Sequence, residues 1–195
     1  MRRRLLWVSI ALKVALLGLL MAAVAFPDAA RFEGKAMTAR AIVYPLAVTV
    51  VPVVWWLLSR RRPVPYPYAL DILWTLPFVV DTVSNALDLY NTVGWWDDAT
   101  HLVNWVILVL AFGQLLLRLP VGRLATAGLC VGFGAVIAIL WELAEYATFI
   151  RDSPELETAY TDTLGDLALG LGGSIVAAAI TAGFLWPRAP TRARA

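Results

Sequence analysis

The side chains in this sequence able to do chemistry are carboxylates and one histidine, and they recur at helical spacing. Asp81, Asn85 and Asp88 form one set, Asp97, Asp98, His101 and Asn104 a second, Glu142 and Glu145 a third, and Asp162 and Asp166 a fourth. Residues three, four or seven apart share a helix face, so each set reads as one polar stripe. Carboxylate oxygens with a single imidazole are a donor set for a divalent ion such as Zn, Mn, Mg or Fe, not for a thiolate-seeking metal. The expected ligands are Asp97, His101, Glu142, Glu145, Asp162 and Asp166. Asp81, Asp88 and Asp98 are expected beside them, holding protons or orienting ligands, and Asp98 or Asp88 could act as a general base.

Other chemistries are excluded by missing patterns. Ferritin-type di-iron sites need two Glu-x-x-His pairs, and none is present. There is no Gly-rich phosphate loop, no nucleophile elbow and no His-Glu-x-x-His zinc motif. The one cysteine, Cys130, lies in an apolar run, so no intrachain disulfide can form.

The elements that must position these stripes follow from composition. The chain has 195 residues, 61% of them hydrophobic and only 15% charged, with a mean hydropathy of +0.73. A soluble domain runs about 45–50% apolar and about 25% charged. Nucleic-acid binding, disorder and a soluble nucleotide-binding enzyme fit poorly, and no nucleic-acid partner is expected. A membrane-crossing helix takes roughly 20 mostly apolar residues. Six stretches qualify: Leu5–Phe26, Ala41–Ser59, Ala69–Tyr90, Ala99–Leu119, Leu124–Phe149 and Thr161–Trp186. The expected fold is an all-α bundle of six transmembrane helices, with residues 1–62 as a two-span hairpin and 63–195 as a four-span core carrying the acidic pocket. Gly128 and Gly132, and Gly170, Gly172, Gly173 and Ser174, are expected at close helix contacts.

Orientation follows the basic residues. Arg2–Arg4, Arg60–Arg62, Arg118, Arg123, Arg188, Arg192 and Arg194 fall on one side, eleven of the sixteen Lys and Arg. Both termini are therefore expected to be cytoplasmic, in a bacterial inner membrane. A cleaved leader is the competing reading of the first span, but its apolar run of about 20 residues exceeds the usual 7–15. With this orientation, spans three to six bring their acidic stripes to one depth near the outer face. A carboxylate at the centre of a membrane helix costs about 3 kcal/mol. No Lys or Arg lies in the outer halves of spans three to five, and Arg151 at the rim is the only expected neighbour. The group therefore needs protons, a bound cation, or both.

The run Trp96-Asp97-Asp98-Ala99-Thr100-His101, then Glu142-x-x-Glu145, then Asp162-x-x-x-Asp166 followed by glycines, resembles the VanZ-like membrane proteins. Those share an Asp-x-x-x-His element, a Glu-x-x-Gln element and a later Asp before a glycine-rich helix. Asp97 and His101, Glu142, and Asp166 match the three elements, and Glu145 stands where the family has glutamine. The related YjdF-like inner-membrane proteins are similar in carrying a second acidic residue, as Asp162 precedes Asp166. The resemblance covers about residues 70–182 and leaves spans one and two outside.

Three function classes remain open on these residues. One is a metal-dependent enzyme acting on a lipid or lipid-linked cell-envelope substrate. The second is a non-enzymatic envelope-assembly or accessory protein. The third is a transporter of protons or divalent cations, which a polar stripe running from Asp81 to Asp71 would favour.

Overall fold

A computed structural model describes residues 2–29 and 31–186; Arg188, Arg192 and Arg194, part of the orientation argument, lie outside the described residues. The described chain is all-helical. Six long helices run as α1 (Arg2–Ala25), α2 (Met37–Ser59), α3 (Tyr68–Ala86), α5 (Trp96–Leu116), α6 (Arg123–Glu145) and α7 (Ala159–Gly183). A single turn, α4 (Leu89–Thr92), stands between α3 and α5. A π turn at Tyr146–Ile150 extends α6, and a 3-10 turn at Pro154–Glu157 precedes α7.

Five of these helices are long and apolar enough to cross a membrane: α1, α2, α5, α6 with its extension to Thr148, and α7. Their large apolar side chains point outward, among them Val14, Met21, Leu46, Val136 and Ile175, each at least 45% exposed. Polar side chains are buried instead, among them Ser9, Asp71, Thr75, Asn104 and Thr181. That inversion of a soluble protein is what a hydrocarbon solvent selects.

The third expected span is where the structure departs from expectation. Asp71 and Asp81, with Thr75, Thr82, Ser84 and Asn85, dilute the apolar character of α3, and it falls short of the other five. It also ends at Ala86, not Tyr90. Asp88 takes a left-handed backbone (φ 60°, ψ 30°), a conformation that Asp tolerates better than most residues. The stripe expected to run Asp81–Asn85–Asp88 therefore stops at Asn85.

α3 lies centrally, packed against α1 and α2 on one side and α5 on the other. Leu16, Leu20, Tyr44 and Val48 form an apolar cluster among the first three helices. Val109, Leu116, Cys130, Ala177 and Ala178 form another among α5, α6 and α7. The close approaches use Gly113, Gly134, Gly170 and Gly173. A Cβ on Gly173 would sit 2.5 Å from the Leu102 carbonyl oxygen, and one on Gly134 would overlap the Ser174 hydroxyl. Gly128 and Gly132, expected at such a contact, have nothing within 4 Å of a built Cβ.

Candidate functional site

Three helices meet at one end of the bundle. α5 begins there with Asp97 and carries His101 one turn further in. α6 ends there with Glu142 and Glu145, and α7 begins there and carries Asp166 in its second turn. Up-and-down connectivity brings residues separated by up to 69 positions to one depth.

His101 is the centre of the group. Its Nε2 lies 3.6 Å from Asp97 Oδ1. Its Nδ1 lies 3.7 Å from Asp166 Oδ1 and 4.0 Å from Glu142 Oε1. Donor atoms of Asp97, His101 and Asp166 fall within 4.8 Å of one another, as do those of His101, Glu142 and Glu145. His101, Glu142 and Asp166 are buried, while Asp97 and Glu145 are half-buried. Two ligands about 2.1 Å from one ion lie roughly 3–4 Å apart, so the spacing fits donors around a shared cation. Asp162 and Asp98 are exposed at the rim and belong to neither donor group.

The imidazole plane is fixed from below. Trp105, one turn along α5, stacks on His101 at 5.5 Å between ring centroids and 11° between planes. The Trp105 indole N–H donates to the Gly134 carbonyl at 3.0 Å, and Trp141 packs edge-on against its ring. The absence of a side chain at Gly170, where a Cβ would lie 3.2 Å from the indole nitrogen, lets the Trp105 ring lie against α7. The anchored indole thus covers one face of the His101 imidazole.

The expectation that cations are absent from the spans' neighbourhood is corrected by α1 and α2. Asp81 takes its cationic partner from α2. It is buried against α2, where Arg40 Nε donates to its Oδ2 at 2.8 Å and the Tyr44 hydroxyl donates to the same oxygen at 2.6 Å. Asn85 and Tyr90 donate to its Oδ1 at 3.2 and 3.3 Å. Asp88 pairs with Lys35, in the turn before α2. Hydrogen bonds from Lys35 and then Asn91 hold its carboxyl below the usual carboxylate range, and burial raises the nearby Tyr90 phenol. At the other end Asp71 accepts from Ser9 at 2.5 Å and pairs with Lys13 at 2.6 Å. The neutralised acids are thus Asp71, Asp81 and Asp88. Asp97, Glu142 and Asp166 each come within 4.0 Å of the same basic side chain, His101.

Residues 10–186 match a family described as "Predicted membrane protein (DUF2238)". The chain belongs to this family. The DUF2238 match takes in α2 and most of α1, which the resemblance over about residues 70–182 left outside, and its description names neither the VanZ-like nor the YjdF-like proteins. No curated protein and no solved structure matches the chain. For a DUF2238 protein, the match across α1 and α2 accords with their part in the fold, since they supply Lys13, Lys35 and Arg40 to acids of the 68–92 segment.

Sequence reasoning missed Arg40, Tyr44 and Trp105. Trp105 had a legible signal, four residues after His101 on the same helix face. Arg40 had none, because the pairing joins residues 41 positions apart across two helices.

Proposed function

We propose that this protein is a membrane-embedded metal protein, holding one divalent cation at the end of the bundle where α5, α6 and α7 meet. The observation that carries the reading is the convergence of carboxylates from three helices on one buried imidazole, at 3.6–4.0 Å. Like charges gathered at low dielectric repel one another unless protons or a cation lie among them. His101 with Glu142 and Glu145 would bind the ion, and Asp166, 3.7 Å from Nδ1 in the second donor group, would lie beside it. Asp97, 3.6 Å from Nε2, would favour by its charge a proton on that nitrogen and so the tautomer, as carboxylates behind metal-bound histidines do. Asp162, one turn before Asp166, is a further oxygen donor at the exposed mouth. A divalent ion there would polarise a phosphoryl or acyl oxygen or activate water. A site at headgroup depth suits a lipid or lipid-linked envelope substrate, with Asp98 at the rim available to take a proton.

The Asp97–His101, Glu142 and Asp166 elements support membership of the VanZ-like and YjdF-like group. α3 is read as the sixth span: its 19 residues reach about 28 Å at 1.5 Å each, and Lys13 and Arg40 neutralise the acids that make it polar. Both termini are read as cytoplasmic, in an inner membrane.

A transporter reading draws on a different observation. Asp71, Thr75, Asp81, Thr82 and Asn85 are all buried along α3, a partial polar stripe from one end to the other. The stripe has a gap between Thr75 and Asp81 of about 9 Å, which favours the metal site over a proton or cation route. The accessory-protein reading has no comparable observation in its favour.

Thermal unfolding in detergent with and without a strong chelator tests the metal reading. An ion binding only the folded state at a hundred times its Kd adds about 2.7 kcal/mol. Chelation should lower the melting temperature of the protein and leave a Glu142→Gln, Asp166→Asn variant unmoved. An equal response to chelator in both would overturn the reading.

A further inference from the structure

We propose that the opposite end of the bundle binds the headgroup of an anionic phospholipid, in a cavity between the starts of α1 and α3 and the end of α2. The cavity is about 410 Å³ and is lined by Arg2, Arg3, Leu6, Trp55, Tyr66 and Tyr68 among others. Its chemistry is divided. Two arginines line it together with aromatic residues and Leu6, a combination of charge and apolar surface that suits a phosphate above an acyl chain.

The wall is built, not incidental. The Trp55 indole N–H donates to the Val64 carbonyl at 2.8 Å, which ties the α2–α3 connection to α2. Tyr66 then packs edge-on against Trp55 at 5.0 Å and against Tyr68 at 4.7 Å. Arg60 lies over the neighbouring Trp56 ring at 4.8 Å, leaving Arg2 and Arg3 as the cationic lining. Asp71, the acid nearest this end, is neutralised by Lys13. α1 and α3 both begin at the cavity, so the positive ends of two helix dipoles add to the guanidiniums.

The site lies at the end of the membrane helices, where lipid headgroups stand at high local concentration. Basic pockets between membrane helices at this level take anionic headgroups, and each basic residue near the surface contributes substantially. Among the described residues Arg4, Arg61, Arg62, Arg118 and Arg123 also fall at this end, so the field around the cavity favours an anion over a zwitterion. Arginine supplies bidentate hydrogen bonds to phosphate. This site is separate from the carboxylate–histidine group and does not depend on it.

Native mass spectrometry of the purified protein, released from micelles containing phosphatidylglycerol or phosphatidylcholine, tests the assignment. The expected result is a retained phosphatidylglycerol adduct and no retained phosphatidylcholine. An Arg2→Gln, Arg3→Gln variant, with Arg4 kept for insertion, should bind roughly thirtyfold more weakly. A Leu6→Trp variant keeps every charge but fills the cavity, and should lose the adduct as well. Arg118→Gln with Arg123→Gln, at the same end but off the cavity, should retain it. Equal retention in the protein and in Leu6→Trp would overturn the proposal. So would displacement of the lipid by millimolar inorganic phosphate, which would mark an open anion site and not a lipid site.

Discussion

Replacing Arg40 by glutamine should destabilise the protein more than any other single change of a polar residue in the first two helices. The Asp81 side chain is 6% exposed and that of Arg40 11%, so solvent screens the pair little. Removing one partner of a buried pair costs about 3–5 kcal/mol, because the other charge is left without compensation. Tyr44 and Asn85 would still donate to the stranded carboxylate, which favours the lower end, about 3 kcal/mol. At about 1.4 kcal/mol per decade, that is roughly a 150-fold rise in the unfolding constant. The double variant Arg40→Gln, Asp81→Asn removes both charges and should recover about half of the loss. Equilibrium unfolding in mixed micelles, followed by fluorescence of the nine tryptophans, measures each corner of the cycle. A loss below about 1 kcal/mol in Arg40→Gln, or a double variant no better than the sum of the singles, would refute the buried-pair argument.

Three further outcomes follow from the same geometry. Gly134→Ala places a methyl group on Ser174 and 2.9 Å from Val109, an overpacking worth about 1–3 kcal/mol; Gly132→Ala, with open space around it, should be neutral or slightly stabilising in the same unfolding assay. Trp105→Leu removes the ring stacked on His101 and should weaken metal binding by about 10–100-fold, as loss of a residue supporting a ligand does, with little change in helix content by circular dichroism. Asp88 is held below its ordinary value by Lys35, so its contribution is present at neutral pH and lost as pH falls through its lowered folded value; limited proteolysis of the 31–36 turn should accelerate as the pH falls below the ordinary carboxylate range, and Lys35→Ala should abolish that pH dependence.

The helical, membrane-spanning class was legible because hydrocarbon imposes a composition that no soluble fold shares, and the long apolar runs mark five helices to within four residues at each end. The gathering of Asp97, His101, Glu142, Glu145 and Asp166 was legible for a related reason: up-and-down connectivity fixes which helix ends share a depth, and 3.6 periodicity fixes which residues share a face. What escaped was the partner choice of α3. Asp81 and Asp88 have the same types and spacing as the site carboxylates, and only the packing of α1 and α2 separates them. Lys13, Lys35 and Arg40 belong to the first two helices and the turn between them, outside every acidic stripe, yet they neutralise the acids of α3 and its extension. A single backbone feature, the left-handed Asp88, also removed that residue from the stripe, and no periodicity argument anticipates a one-residue break. Close helix contacts were misread for Gly128 and Gly132 because the small-residue motif specifies spacing but not which face meets a neighbour.

The most direct test of the metal reading is elemental analysis of protein purified without chelator or immobilised-metal resin, measured by inductively coupled plasma mass spectrometry beside a His101→Ala variant. The account predicts about one divalent transition metal or magnesium ion per chain in the protein, and a loss of most of it in the variant. Metal-free protein that also takes up none of these ions on dialysis, or equal metal content in both proteins, would contradict it.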